Sequence, residues 1–314
     1  MTVRSKQLVV LGGTGFVGAH LLPRLVRDGH RVLLLSRNRE KHRSLGVLPG
    51  VRIRTVDVYD ANALRRQFEG ADAVVHLVGI LNAFGAQTFQ QAHVELTRRV
   101  LGACQAAGVH RLHHMSALKA GQGLSQYLKS KGEAEALVRH SSLDWTIYQP
   151  SVMFGAGGGL VERFATLLRQ LPALPLARAS ARMAPTWAGD VAEAMARCIG
   201  HDTLGMDESF ELYGPDVLTL GEIVRMIRAT LGVRTPVIPL PDSLGRLQAQ
   251  VAQMLPGKPF STDNFRSLRT DSVGKVDGYA ALGITPQPLE AWLPILLNEP
   301  ARQRRLSLAR TASR

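Results

Sequence analysis

Cysteine is scarce in this chain: of 314 residues only Cys104 and Cys198 are cysteines, far apart and outside any metal or redox spacing. That excludes a disulfide framework and a thiolate metal centre. Both read as buried helix residues in a reducing compartment, so a cytoplasmic protein is expected. Aromatic residues make up only 5% of the chain, and its arginines are not interleaved with them. A base-stacking platform is therefore excluded, and nucleic acid is not an expected partner. No uninterrupted apolar run is long enough to span a bilayer. Acid is missing altogether from residues 300–314, which hold Arg302, Arg304, Arg305, Arg310 and Arg314. This tail reads as a solvated, disordered end. It is also a candidate for peripheral contact with anionic membrane, the inner membrane included. The net charge of +13 suits an anionic ligand such as a phosphorylated cofactor.

Glycine, by contrast, stands where it counts. Leu8-Val9-Val10-Leu11 runs into Gly12, and Gly12, Gly15 and Gly18 follow at G-x-x-G-x-x-G spacing before the amphipathic segment Ala19–Arg27. Strand, glycine turn and helix N-terminus in this order form a phosphate cradle. Gly12 allows the turn, Gly15 lets the backbone approach a pyrophosphate, and Gly18 lets the helix pack on the strand. Thr14, Phe16 and Val17 complete the loop. Arg4 and Lys6 before an apolar run also resemble a secretory signal. Four glycines interrupt that run, however, and no small-residue cleavage site follows.

Further on, apolar runs alternate with helical patterns. Strands are expected at Val32–Leu35, Val51–Val58, Ala73–Val78, Leu112–Met115 and Thr146–Gln149. Helices are expected at Ala63–Phe68, Phe89–Ala107 and Ser130–His140. This alternation predicts an α/β fold, a doubly wound parallel sheet over residues 1–150. After Pro150 the pattern is mixed, with short strands at Phe210–Tyr213 and Val237–Ile238 among helices at Asp190–Ile199, Thr219–Leu231 and Leu244–Leu255. It predicts a smaller substrate lobe over 151–299, some of whose segments rejoin the sheet. Leu244, Leu247, Val251 and Met254–Leu255 form one apolar stripe with glutamines opposite. Ordinary amphipathicity favours a helix packed on its own lobe. The competing reading is a lid over an apolar ligand or a membrane-facing surface.

Several residues bear on chemistry. The second strand ends in Ser36-Arg37-Asn38-Arg39, without the acid that would bind an NAD ribose. Ser36 and Arg37 suit a 2′-phosphate, so NADP(H) is expected over NAD(H). Asp57 and Val58, after the third strand, are placed for the adenine. Leu77, Val78 and Gly79, after the fourth, lie beside the adenosine or are simply strand core. Tyr127 and Lys131 form Y-x-x-x-K, which shares one helix face. The lysine is expected to lower the phenol's pKa, so that Tyr127 can exchange a proton with a substrate oxygen while Lys131 also holds the ribose. His113 and His114 lack a carboxylate or thiol at ligand spacing, so no metal site is expected.

Together these residues resemble the extended short-chain dehydrogenase/reductases, a Rossmann-type, epimerase/dehydratase-like family. GGTGFVG, Asp57-Val58, His76-Leu77-Val78-Gly79, Gly108–Leu112 into Met115-Ser116, Tyr127–Lys131, Gln149–Gly155 and Pro185–Ala192 fall in family order. Phe210–Thr219 and Leu282–Pro286 resemble the atypical branch that contains the nucleotide-binding accessory subunit of mitochondrial complex I and its bacterial relatives. The resemblance implies a tightly held NADP(H), with Pro150 and Val152 at the cofactor, and an oxidoreductase linked to quinone or respiratory-chain biogenesis. A cofactor-stabilised assembly protein and a nucleotide-sugar epimerase are its alternatives. Two positions depart from the family pattern. Ala117 stands where active members have Ser or Thr, and His93 stands where they have Asn. Ser116 and Ser125 are the candidate substitutes.

Overall fold

In each inner strand, successive apolar side chains go to opposite faces, and both faces are covered. The computed structural model describes residues 4–83, 85, 87–254 and 260–298. The first half contains β1 (Gln7–Leu11), α1 (Phe16–Arg27), β2 (Arg31–Ser36), β3 (Val51–Thr55), α2 (Ala61–Phe68), β4 (Ala73–His76), α3 (Leu96–Ala107), β5 (Arg111–Met115), α4 (Gln126–Arg139) and β6 (Asp144–Pro150). The second half continues with β7 (Met153–Gly155), α5 (Gly159–Gln170), β8 (Leu174–Ala177), β9 (Arg182–Met183), β10 (Thr186–Trp187), α6 (Ala188–Gly200) and β11 (Glu208–Leu212). Last come β12 (Leu218–Thr219), α7 (Leu220–Leu231), β13 (Val237–Leu240), α8 (Asp242–Ala252), α9 (Thr262–Ser267), α10 (Gly278–Ala281) and α11 (Leu289–Asn298).

Seven parallel strands form the central sheet in the order β11-β6-β5-β4-β1-β2-β3. The strand order reverses between β1 and β4, so a crevice opens beyond their C-terminal ends, where such sheets bind ligands. Leu8, Val10, Val32 and Leu34 pack with α1 and α6 on one face. Val9, Leu11, Leu35 and Val74 pack with α2 and α3 on the other. A third apolar cluster joins α5, α7 and α11 through residues such as Val161, Ile223 and Trp292. Among the described residues, no helix is long and apolar enough to cross a membrane.

The structure differs from the sequence reading at several boundaries. β3 ends at Thr55 and β4 at His76, both short of Val58 and Val78. Asp57 and Val58 lie in the turn before α2, where the Asp57 carboxylate accepts from Tyr59 N at 2.9 Å. The expected helix Phe89–Ala107 opens with a π-helical turn over Gln90–Glu95, and its regular part is α3. β11 and α6, from the second half, join the sheet layer: β11 pairs with β6 and α6 packs on α1. The packed reading of the Leu244 stripe is overturned. α8 buries Gly245 and Ala249, whereas Leu244, Leu247, Val251 and Met254 are at least half exposed. Leu255 and the arginine tail lie outside the described residues.

The middle of the sheet is polar. His76 on β4 and His114 on β5 are register partners, with ring centroids 5.2 Å apart. His113 Nδ1 meets the Tyr148 hydroxyl at 2.9 Å. All three rings are buried, and neither nitrogen of His114 has a partner among the described residues. Burial pushes His76 down to about 3 and holds His113 and His114 well below the ordinary histidine value. All three are therefore neutral in the folded chain, while the unfolded chain protonates them below about pH 6.5. Stability is complete above that value and falls with acidification, by about 1.4 kcal/mol per pH unit for each histidine. Denaturant unfolding at about pH 5 should show a net uptake of about three protons from this group. An uptake of one or fewer would contradict the burial described.

Gly18 gives a second expectation. A Cβ there would stand 2.0 Å from the Gly13 carbonyl oxygen, a backbone atom. Gly18→Ala should therefore cost about 3 kcal/mol, at the upper end for overpacking. A thermal midpoint equal to that of the unmodified chain would show that the turn can relax.

Candidate functional site

The crevice begins at the turn from β1 into α1. Gly12 takes φ +76°, and a Cβ on it would lie 2.7 Å from Val78 N, at the chain leaving β4. Gly12 thus serves both turn and close approach, because the two strand ends at the crevice nearly touch. Gly15 N donates back to Gly12 O at 3.0 Å. Gly15 is the exposed N-cap of α1, with no side-chain cap and no acid in the first turn. The first N–H groups of α1 therefore face outward with the helix dipole behind them, which fits a phosphate. Gly18 is held against Gly13 and is structural. Val17 is buried, while Thr14 and Phe16 are half-buried around the loop. Leu77 N bonds Leu11 O, and Leu77 and Val78 pack partly into opposite cores.

At the end of β2, Ser36 is buried and accepts from Asn38 N at 3.2 Å. Arg37 is exposed and lines an open pocket of about 550 Å³ with Tyr59, Gln87, Gln91, Glu95 and Arg99. Arg99 donates to Tyr59 O at 2.8 Å, and its buried Nε has no partner among the described residues. Neither Tyr59 nor Arg99 stands in a sequence motif; the fold brings them to Arg37. Arg39 is turned to its neighbour Glu40 at 2.9 Å.

The second part of the site lies where α4 passes the ends of β4 and β5. Tyr127 is half-buried in the first turn of α4, and Lys131 follows one turn later, buried. Lys131 Nζ donates to Met115 O at 3.0 Å. A Cβ on Gly79 would stand 3.1 Å from Nζ and 3.6 Å from His93 Nε2, so the glycine admits both side chains to one space. Burial lowers Lys131 to about 8, with Glu135 opposing the shift. The phenol departs from expectation: burial pushes Tyr127 up to about 12, and no lowering by Lys131 is seen. The lysine is turned to the β5 carbonyl instead.

His93 occupies the π-helical turn and closes a chain of contacts. Ile80 N donates to its Nε2 at 3.1 Å, which leaves the proton on Nδ1, 2.8 Å from Ser130 Oγ. Ser130 Oγ donates to Tyr127 O at 2.9 Å. Burial first, then the nearby Lys131 charge, press His93 down to about 2, so it is neutral. Ser125 is occupied as the N-cap of α4, accepting from Leu128 N at 3.1 Å. Ser116 is different: its Oγ is buried and has no partner among the described residues. Ala117 beside it is buried and has no hydroxyl. Pro150 O accepts from Leu118 N, which ties β6 to this loop, and Val152 O accepts from Thr186 N.

Sequence reasoning missed one supporting residue altogether. Asp263, buried on α9, accepts from Gln126 N at 2.7 Å and from Tyr127 N at 3.0 Å, and so caps α4 from a distant part of the chain. Ser261 and Asn264 hold the same segment to Asn82 and Leu81, in the loop after β4. No local pattern announces a cap supplied across so long a separation.

The NAD(P)H-binding family model matches residues 12–169. The chain is 28% identical over 235 residues to ceramide reductase of Caulobacter vibrioides, covering 75% of this chain and 74% of that one. It is 27% identical over 292 residues to NADH dehydrogenase [ubiquinone] 1 alpha subcomplex subunit 9, mitochondrial, of Rattus norvegicus, covering 90% and 77%. In fold it is similar to a dTDP-glucose 4,6-dehydratase from Streptomyces venezuelae solved with NAD bound. That match has a TM-score of 0.74 and 22% identity, with 93% of this chain and 95% of that chain covered. With its glycine turn at the β1–β4 crevice and Tyr127 and Lys131 beyond it, the chain belongs to the NAD(P)H-binding family of extended short-chain dehydrogenase/reductase type.

Proposed function

We propose that this protein binds NADP(H) and reduces the carbonyl group of an apolar substrate, a quinone or long-chain ketone, with Tyr127 as proton donor. The seating of Lys131 carries the reading: its buried ammonium reaches the space beside Gly79, one helical turn from Tyr127. A reduced nicotinamide held between the glycine turn of α1 and Lys131 would supply the hydride for the carbonyl carbon. Tyr127, kept protonated through the neutral range by burial, gives its proton to the carbonyl oxygen. Lys131, turned to Met115 O, would hold the nicotinamide ribose rather than the phenolate. Ala117 offers no donor to the developing oxyanion, a loss typically worth about a hundredfold or more in rate. Ser116, whose hydroxyl has no partner among the described residues, is the nearest residue in sequence able to supply one. Slow turnover follows from this arrangement.

The cofactor reading rests on Arg37. Its guanidinium, without a partner among the described residues, shares an open pocket with Arg99 at the end of β2, where a 2′-phosphate would meet two cations. A second reading, a cofactor-stabilised assembly protein, draws on Ala117 and on His93, whose ring nitrogens are both engaged by Ile80 and Ser130. The names of the relatives divide in the same way, one a reductase and one a complex I subunit.

Calorimetric titration should show NADPH binding more tightly than NADH, by roughly tenfold or more, and Arg37→Asp should erase or invert that preference. Equal affinities in the unmodified protein would contradict the assignment. Tyr127→Phe should abolish NADPH oxidation with apolar ketones and quinones while leaving NADPH affinity within about twofold. Undiminished oxidation in that variant would remove Tyr127 from the chemistry. Full cellular function without turnover would favour the assembly reading.

A further inference from the structure

α8 is amphipathic the wrong way round. Its inward face carries the small residues Gly245 and Ala249, and a Cβ on Gly245 would stand 3.0 Å from both Ala177 and Phe265. Its outward face carries Leu244, Leu247 and Val251, which are 50%, 54% and 55% exposed, and Met254 in the next turn is 84% exposed. Side chains of this size in one exposed row mark an interaction surface. We infer that this face docks the protein on an anionic lipid bilayer.

Charge selects the occupant. Arg246 on α8 and Arg266 and Arg269 at α9 are exposed. The acids of the same stretch are engaged elsewhere, Asp242 with Arg178 at 3.1 Å and Asp263 with the backbone of α4. Among the described residues the unpaired charge around the stripe is therefore positive, on a chain whose net charge is +13. Such a surface repels a second copy of itself and attracts anionic lipid. The shape agrees. The stripe is one ridge of an eleven-residue helix, about 16 Å long, suited to lying in the interface plane and too short to cross it. The docked segment also continues into the site: α9 caps the helix that carries Tyr127, exposed Leu124 lies just before that helix, and the carbonyl of exposed Leu81 accepts from Asn264 on α9. Docking stands without the reductase reading. Together the two mean that the carbonyl substrate arrives from the bilayer.

The test is co-sedimentation of the full chain with vesicles of phosphatidylcholine plus phosphatidylglycerol, and with phosphatidylcholine alone. Binding should require the anionic lipid and weaken with salt. The variant L244Q/L247Q/V251Q should keep its circular dichroism and melting temperature, because these side chains are largely exposed, and lose about tenfold or more in binding. V251C carrying an environment-sensitive fluorophore should shift to the blue on the anionic vesicles, with or without residues 300–314. Y127F should bind as the unmodified protein does, which separates failure of docking from failure of the reductase reading. No vesicle binding, or binding untouched by the triple variant, overturns the proposal. So does loss of both binding and blue shift when residues 300–314 are removed, since the arginine tail would then be the anchor. A dimer in light scattering that the triple variant disperses would assign the face to a second copy instead.

Discussion

The close approach of two backbones holds the site together. At the strand-order reversal, the chain leaving β1 passes so near the chain leaving β4 that only a glycine fits at position 12. One turn into α1, Gly18 lies against the Gly13 carbonyl for the same reason. These contacts fix where α1 begins, and so where its uncapped N–H groups point. Dispersion and burial in the two cores then hold the arrangement, with Leu8 and Val10 on one side and Val9 and Leu11 on the other. A side chain at either glycine would displace the helix start and the dipole that makes the crevice attractive to a phosphate.

The reacting end is built on different physics. There the residues are charged or polar, and burial rather than pairing sets their state. Tyr127 stays a phenol, His93 stays neutral, and Lys131 is lowered toward the physiological range. Low dielectric strengthens each remaining contact, so a single hydrogen bond from Lys131 to Met115 O positions the ammonium. The elevated phenol keeps its proton, which is the form the proposed reduction would use.

Much of this could be read from residue order, because periodicity and turn chemistry are local. The glycine loop, the inner strands and the Tyr127–Lys131 spacing appear where their patterns place them. Besides the Asp263 cap, several features escaped. The direction of the Lys131 side chain depends on a carbonyl from β5. The outward face of α8 depends on a contact between small residues, Gly245 and Ala177, that outweighs the ordinary rule of burying the larger ones. The pocket at Arg37 depends on Tyr59 and Arg99, which only the βαβ winding brings together. The strands expected to reach Val58 and Val78 stop early because the chain must leave the sheet to form the crevice. Each failure has one cause: a tertiary contact settled a choice that local propensity left open.

The cap on α4 bears on how the molecule comes into being. Asp263 closes the first turn of the helix that carries Tyr127, yet it lies 136 residues further along the chain. A ribosome delivers the tyrosine long before the carboxylate that finishes its helix. The nucleotide-binding half can begin to assemble while the nascent chain is still growing, but the turn that carries Tyr127 is completed only after α9 has emerged and docked. The candidate site is therefore among the last parts to mature, and a chain cut short before α9 keeps its sheet residues while lacking a finished first turn of α4.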